Sequence, residues 1–160
     1  MIERDEEAFQ NHLGGSSTPS QPAPKPKPTL KQKPIQDILA LISLGELIDK
    51  ITILQIKTKH LKGSALEHVK KELEALETTL NDLELNIAPI FIQRLKEVNQ
   101  DLWQIEDDIR NQERQKSFGE TFIHLARAVY QRNDLRAAIK KEINTTYGSA
   151  LVEEKLYQQY

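Results

Sequence analysis

Leu66, Val69, Leu73, Leu76, Leu80 and Leu83 follow one another at alternating steps of three and four residues, and Phe91, Leu95, Val98, Leu102, Ile105 and Ile109 repeat the pattern. This spacing matches the 3.6-residue turn of an α-helix, so each set falls on one seam. A chain with two such seams is committed to packing helix on helix. Only a short connection, around residues 84–88, separates them, so the two helices are expected to form an antiparallel hairpin. The later helix is expected to run to about Gln115, roughly 40 Å at 1.5 Å per residue.

Helix starts are marked independently of the seams. Ser43–Glu46, Ser64–Glu67 and Ser117–Glu120 each open an S-x-x-E motif, in which the serine accepts from the N3 amide and the glutamate reaches back. Pro89 suits a first helical turn, where its missing N–H costs nothing, and Asn86 is a candidate cap. A further helix is expected from Phe118 through Phe122, Leu125, Val129, Ile139 and Ile143, ending at Tyr147-Gly148 with the glycine past the last turn. Ser149 then caps a short last helix carrying Leu151, Val152 and Leu156.

The first helix, from Leu44 to about Leu61, differs from the others. Leu47, Ile48, Ile51, Ile53, Leu54 and Ile56 surround most of its circumference, which predicts burial on several sides. Its isoleucines make a strand over ITILQI the competing reading, and the serine cap with the i, i+3, i+4 pattern favours helix. Residues 38–42 are expected to dock on the core as a short irregular or extended segment. The fold is therefore all-α: a bundle of four main helices and a short C-terminal one.

Before residue 35 the chain changes character. Residues 14–34 hold six of the seven prolines, four lysines and no acid. Alternating Pro and Lys favour polyproline II and cannot build a core, so residues 1–34 are expected to be a disordered tail and residues 35–160 the helical domain. The acidic start, MIERDEEAFQNHL, lacks an apolar leader core, and no apolar run is long enough to span a membrane, so a cytoplasmic address is expected. With no cysteine there is no disulfide, thiolate ligand or cysteine nucleophile. The net charge of -2 provides no field for nucleic acid, and from Ile35 on 17 basic residues face 20 acidic ones.

Chemistry is sought where polar residues interrupt apolar stripes. Extending the fourth stripe from Val129 reaches Arg132 and Arg136 before Ile139, with Arg127, Tyr130 and Asn133 beside them. The preceding helix carries Glu106, Asp107, Asp108, Arg110 and Glu113, and the first helix Glu46, Asp49, Lys50 and Lys57. A part-buried arginine needs a carboxylate or an anionic ligand. Two readings follow: an interhelical ion-pair network that fixes register, or a cationic pocket for phosphate, sulfate or carboxylate. On the second reading the ligand-binding candidates are Asp49, Lys50, Lys57, Glu106, Arg127, Arg132 and Arg136. Asp49, crowded by apolar neighbours, is either a structural or a catalytic carboxylate. Trp103, beside the seam, reads as core or interface before base stacking.

The four histidines have no metal-binding spacing, so neither a metal site nor a cofactor is expected. Glu74-x-x-Glu77 matches one half of the paired carboxylates that hold magnesium in all-α nucleotide pyrophosphohydrolases, and the second half is missing. ELIDKITILQIK is locally similar to the first helix of helical chorismate mutases, without the arginine expected before it.

SLGELIDKITILQIK, LWQIEDDIR, FIHLARAVYQRNDLRAAIKKEIN and GSALVEEKLYQQY together resemble a family of short, functionally uncharacterised bacterial proteins, over roughly residues 43–160. Members are often encoded near glycosyltransferase or surface-polysaccharide genes, which implies a setting and no reaction. The leading expectation is a non-enzymatic interaction or scaffold protein whose partner is another protein or a second copy of itself, with the long seams supporting oligomerisation. The alternative is a small-molecule binding protein or enzyme acting on an anionic metabolite, a nucleotide or sugar phosphate.

Overall fold

The structure is a computed structural model, and it describes residues 38–154. Four helices follow in order: α1 (Leu44–His60), α2 (Gly63–Asp82), α3 (Pro89–Arg114) and α4 (Glu120–Thr146). No strand occurs among the described residues, so ITILQI is helical. The tail expected over residues 1–34 lies outside the described residues. Residues 150–154 are not helical, which corrects the expected start of a last helix; Leu156 lies outside the described residues.

α1 is the axis of the bundle. It packs against α2, α3 and α4, whereas α2 packs on α1 alone and α3 pairs with α4. α2 and α3 form the expected antiparallel hairpin. The two run antiparallel, as their short connection requires, yet do not pack on each other. The physical reason is the breadth of α1's apolar surface. Leu47, Ile48, Ile51, Leu54 and Ile56 are all buried, and that surface accepts both seams on different sides. No residue of α2 is fully buried, as expected of a helix covered on one side only.

The apolar core lies at one end, where Leu44 and Ile48 of α1 meet Phe91, Leu95 and Val98 of α3 and Ile139 and Ile143 of α4. α1 therefore runs parallel to α3 and antiparallel to α4. At its far end the His60 ring stacks on Trp103 with centroids 4.7 Å apart. Beyond that level α3 and α4 continue as a two-helix arm. No α3 residue after Leu102 and no α4 residue before Ile139 is fully buried.

One of the three serine motifs acts as a cap. Ser43 Oγ accepts from the Glu46 amide at 3.2 Å. α2 starts instead at Gly63 with Lys62 as its cap residue, and α4 at Glu120 after Gly119, neither with a side-chain cap bond. Asn86 is not a cap either, since Ala88 holds that position with Pro89 in the first turn. At the end of α4 the expected glycine motif forms. Gly148 has φ +64°, and the Ser149 amide donates to the Asn144 carbonyl at 2.8 Å.

Candidate functional site

Next to the apolar core the three central helices contribute a layer of buried polar side chains. Asp49, Thr52, Asn99, Lys140 and Asn144 are all buried. Their spacing explains how they meet. Asp49 and Thr52 are one turn apart on α1, Asn99 follows Leu95 by four residues on α3, and Arg136, Lys140 and Asn144 climb α4 in steps of four. Each occupies a core-facing position where the apolar pattern would otherwise continue.

Asn99 is the centre of this layer. Its Nδ2 donates to Asp49 Oδ1 at 2.7 Å and to Thr52 Oγ1 at 3.0 Å. The Thr52 hydroxyl donates in turn to the Asp49 carbonyl at 2.8 Å, so it is an acceptor towards Asn99. With its amide nitrogen committed, Asn99 turns its oxygen to Arg136, which donates from Nη1 at 3.3 Å. Arg136 Nη2 donates to Asn133 Oδ1 at 2.7 Å. The guanidinium is thus held by two carboxamide oxygens and has no carboxylate within ion-pair distance among the described residues.

Burial pushes the Asp49 carboxyl above the usual carboxylate range. The Asn99 hydrogen bond and the charges of Arg136 and Lys140 pull it down, Glu46 pushes it up, and burial prevails. Lys140 shows the opposite balance. Burial alone would lower its ammonium, but bonds to Glu153 and Glu46 and the charge of Asp49 raise it above the ordinary lysine value. Its Nζ lies 2.8 Å from Glu153 and also touches Glu46.

A cleft of about 420 Å³ opens beside the layer, lined by Ile53, Lys57, Asn99, Leu102, Trp103, Glu106, Asp107, Arg110 and Arg136. Residues 99, 103, 106 and 110 form one stripe of α3, so the cleft follows that helix for roughly 16 Å. Arg136 stands at its Asn99 end, and Lys57 lines it from α1. At the other end Arg110 lies 2.8 Å from Glu106 and 3.9 Å from Asp107.

Of the residues expected to form a site, Lys57, Glu106 and Arg136 line this cleft, and Asp49 stands behind it through Asn99. Three do not join them. Lys50 pairs with Glu72 of α2 at 2.7 Å, Arg132 pairs with Asp101 of α3 at 3.2 Å, and Arg127 is exposed on the arm. The arginines of α4 thus divide, Arg132 to an ion pair and Arg136 to the cleft. Thr52, Asn99, Lys140 and Asn144 were not among the expected residues. A signal for two of them existed: the step of four from Arg132 to Arg136 continues to Lys140 and Asn144.

Among the described residues no group of three or more His, Asp or Glu is arranged to hold a metal ion. No helix there is long and apolar enough to cross a membrane.

Fold and site together define an all-α protein with a polar layer and a charged cleft among three of its four helices. The chain belongs to a family of unknown function (DUF6165), whose model matches residues 39–160. No curated protein matches the chain, and no solved structure does.

Proposed function

We propose that the cleft binds a small molecule bearing an oxyanion, a phosphate, sulfate or carboxylate, with Arg136 and Lys57 as its anchors. The observation that carries this reading is Arg136 itself. It lines the cleft, oriented by Asn99 and Asn133, while Arg94, Arg110 and Arg132 each contact a carboxylate. Lys57, which lines the cleft from α1, also forms no ion pair among the described residues. Two cations with no carboxylate in ion-pair contact, beside an apolar strip of Ile53, Leu102 and Trp103, suit an anion attached to a larger body. The resemblance to proteins encoded near surface-polysaccharide genes makes sugar phosphates and sugar nucleotides the first compounds to test.

Thermal denaturation with these compounds tests the reading. A ligand at 100 times its dissociation constant adds about 2.7 kcal/mol, a shift of several degrees. Arg136→Met should remain folded and lose the shift. A shift that survives in Arg136→Met would sink the proposal.

A second reading, a bacterial scaffold or self-associating protein in the cytoplasm, is favoured by the arm. Phe118 and Ile123 are 53% and 45% exposed there, and the seam of Ile105, Ile109, Phe122, Leu125 and Val129 is only half-buried. Sedimentation velocity across a concentration series tests it. Association that Ile123→Ser abolishes supports it, and a monomer at all concentrations removes it.

A further inference from the structure

The polar layer behind Arg136 is more than its fold requires. A buried aspartate costs stability, and an apolar residue at position 49 would extend the neighbouring core. The layer is also directional. Thr52 fixes the Asn99 amide, Asn99 fixes one side of Arg136, and Arg136 faces the cleft. The charged groups acting on Asp49 are Arg136 and Lys140 from α4 and Glu46 from its own helix, while α3 offers the neutral Asn99.

We propose that Asn99 and Asp49 are positioning residues for Arg136, and that an oxyanion in the cleft is bound together with a proton on Asp49. This rests on the anion reading above. Arg136 is one of two cations that favour the charged form of Asp49. An oxyanion on Arg136 offsets that charge and adds a negative one nearby, so the Asp49 carboxylate takes a proton from solvent. The linkage has a definite sign. Anion affinity is highest at low pH, falls as pH rises through the free and then the bound titration of Asp49, and is level above both.

Isothermal titration calorimetry of the full chain with sodium sulfate tests this, because sulfate does not itself titrate at the pH used. Measured across the pH range in which sulfate affinity falls, in buffers of different ionisation heat, the wild type should take up a fraction of a proton per sulfate bound. Asp49→Asn should bind sulfate without uptake and more tightly than wild type at pH 7, since the competing carboxylate is gone. Asn99→Ala should bind roughly tenfold more weakly. Should Asn99→Ala fail to fold, Asp49→Asn decides alone. Binding without proton uptake in the wild type overturns the proposal and leaves the anion site standing. Uptake undiminished in Asp49→Asn also overturns it. If neither sulfate nor any sugar phosphate binds the wild type, the anion reading falls and this one with it.

Discussion

Gly45 and Lys140 bring α1 and α4 together at backbone distance. A Cβ placed on Gly45 would stand 2.6 Å from the Lys140 carbonyl oxygen and 3.0 Å from Asn144 Oδ1, which accepts from the Gly45 amide at 2.7 Å. With Ser43 on the Glu46 amide and Ser149 on the Leu44 amide, the first turn of α1 is capped from both ends of the chain's helical part.

Gly45→Ala is therefore expected to destabilise the protein. Alanine gains about 1 kcal/mol of helix propensity, but the contact is with backbone and cannot swing aside. A net loss of roughly 1–3 kcal/mol in urea denaturation is expected. Stability equal to or above wild type would show that the helices separate freely at this point.

Lys116→Gly should act in the opposite direction. Lys116 closes α3 at φ +52°, with its own amide on the Glu113 carbonyl and that of Ser117 on Gln112, the arrangement glycine favours. Removing the side-chain clash should add about 1 kcal/mol. An unchanged midpoint of unfolding would show that the turn relaxes without cost.

Lys140→Met should remove the bridge between Glu46 and Glu153. The lysine is 9% exposed and both carboxylates are about half-exposed, so the loss should be about 2 kcal/mol, below that for a fully buried pair. Because the Lys140 ammonium is held above its ordinary value, its contribution is complete below the unfolded value of 10.5 and fades as pH rises through the folded one. Wild type and variant should therefore converge in strong alkali, as followed by circular dichroism.

Asp49 gives an acid-side counterpart. Its carboxyl is raised above 3.8, so the folded protein holds a proton that the unfolded chain has released. The protonated form stabilises fully below 3.8, and that contribution falls away as pH rises through the folded value. Asp49→Asn lacks this fall, so its stability relative to wild type should grow with pH across that window and then level. A difference independent of pH would show that the carboxylate is stabilised as well in the fold as in water.

Much of the architecture was legible in the sequence because helix formation is local. The seams of α2 and α3, the glycine motif after α4, the Ser43 cap and the many-sided burial of α1 all follow from spacing along one strand of chain. The other two serine motifs failed as caps for an equally local reason. Gly63 can adopt φ +60°, so α2 begins before Ser64. Ser117 is already used closing α3, with its amide on Gln112. The candidate site was half legible. Interruptions of the α4 stripe pointed to Arg136, but Arg132 interrupts it in the same way and turns to Asp101 instead.

That the chain is helical, roughly where its four main helices lie, and that α1 is the most enclosed of them follow from residue order alone. Hydrogen bonding and side-chain periodicity act over a few residues, so those features need no knowledge of neighbours. That α2 and α3 both rest on α1 and not on each other emerges only from packing, since a seam records that a surface is apolar and not what covers it. Packing also decides which charges are neutralised. Whether an arginine meets a carboxylate or two carboxamides depends on the register of α3 against α4, and that is set by packing across the whole interface.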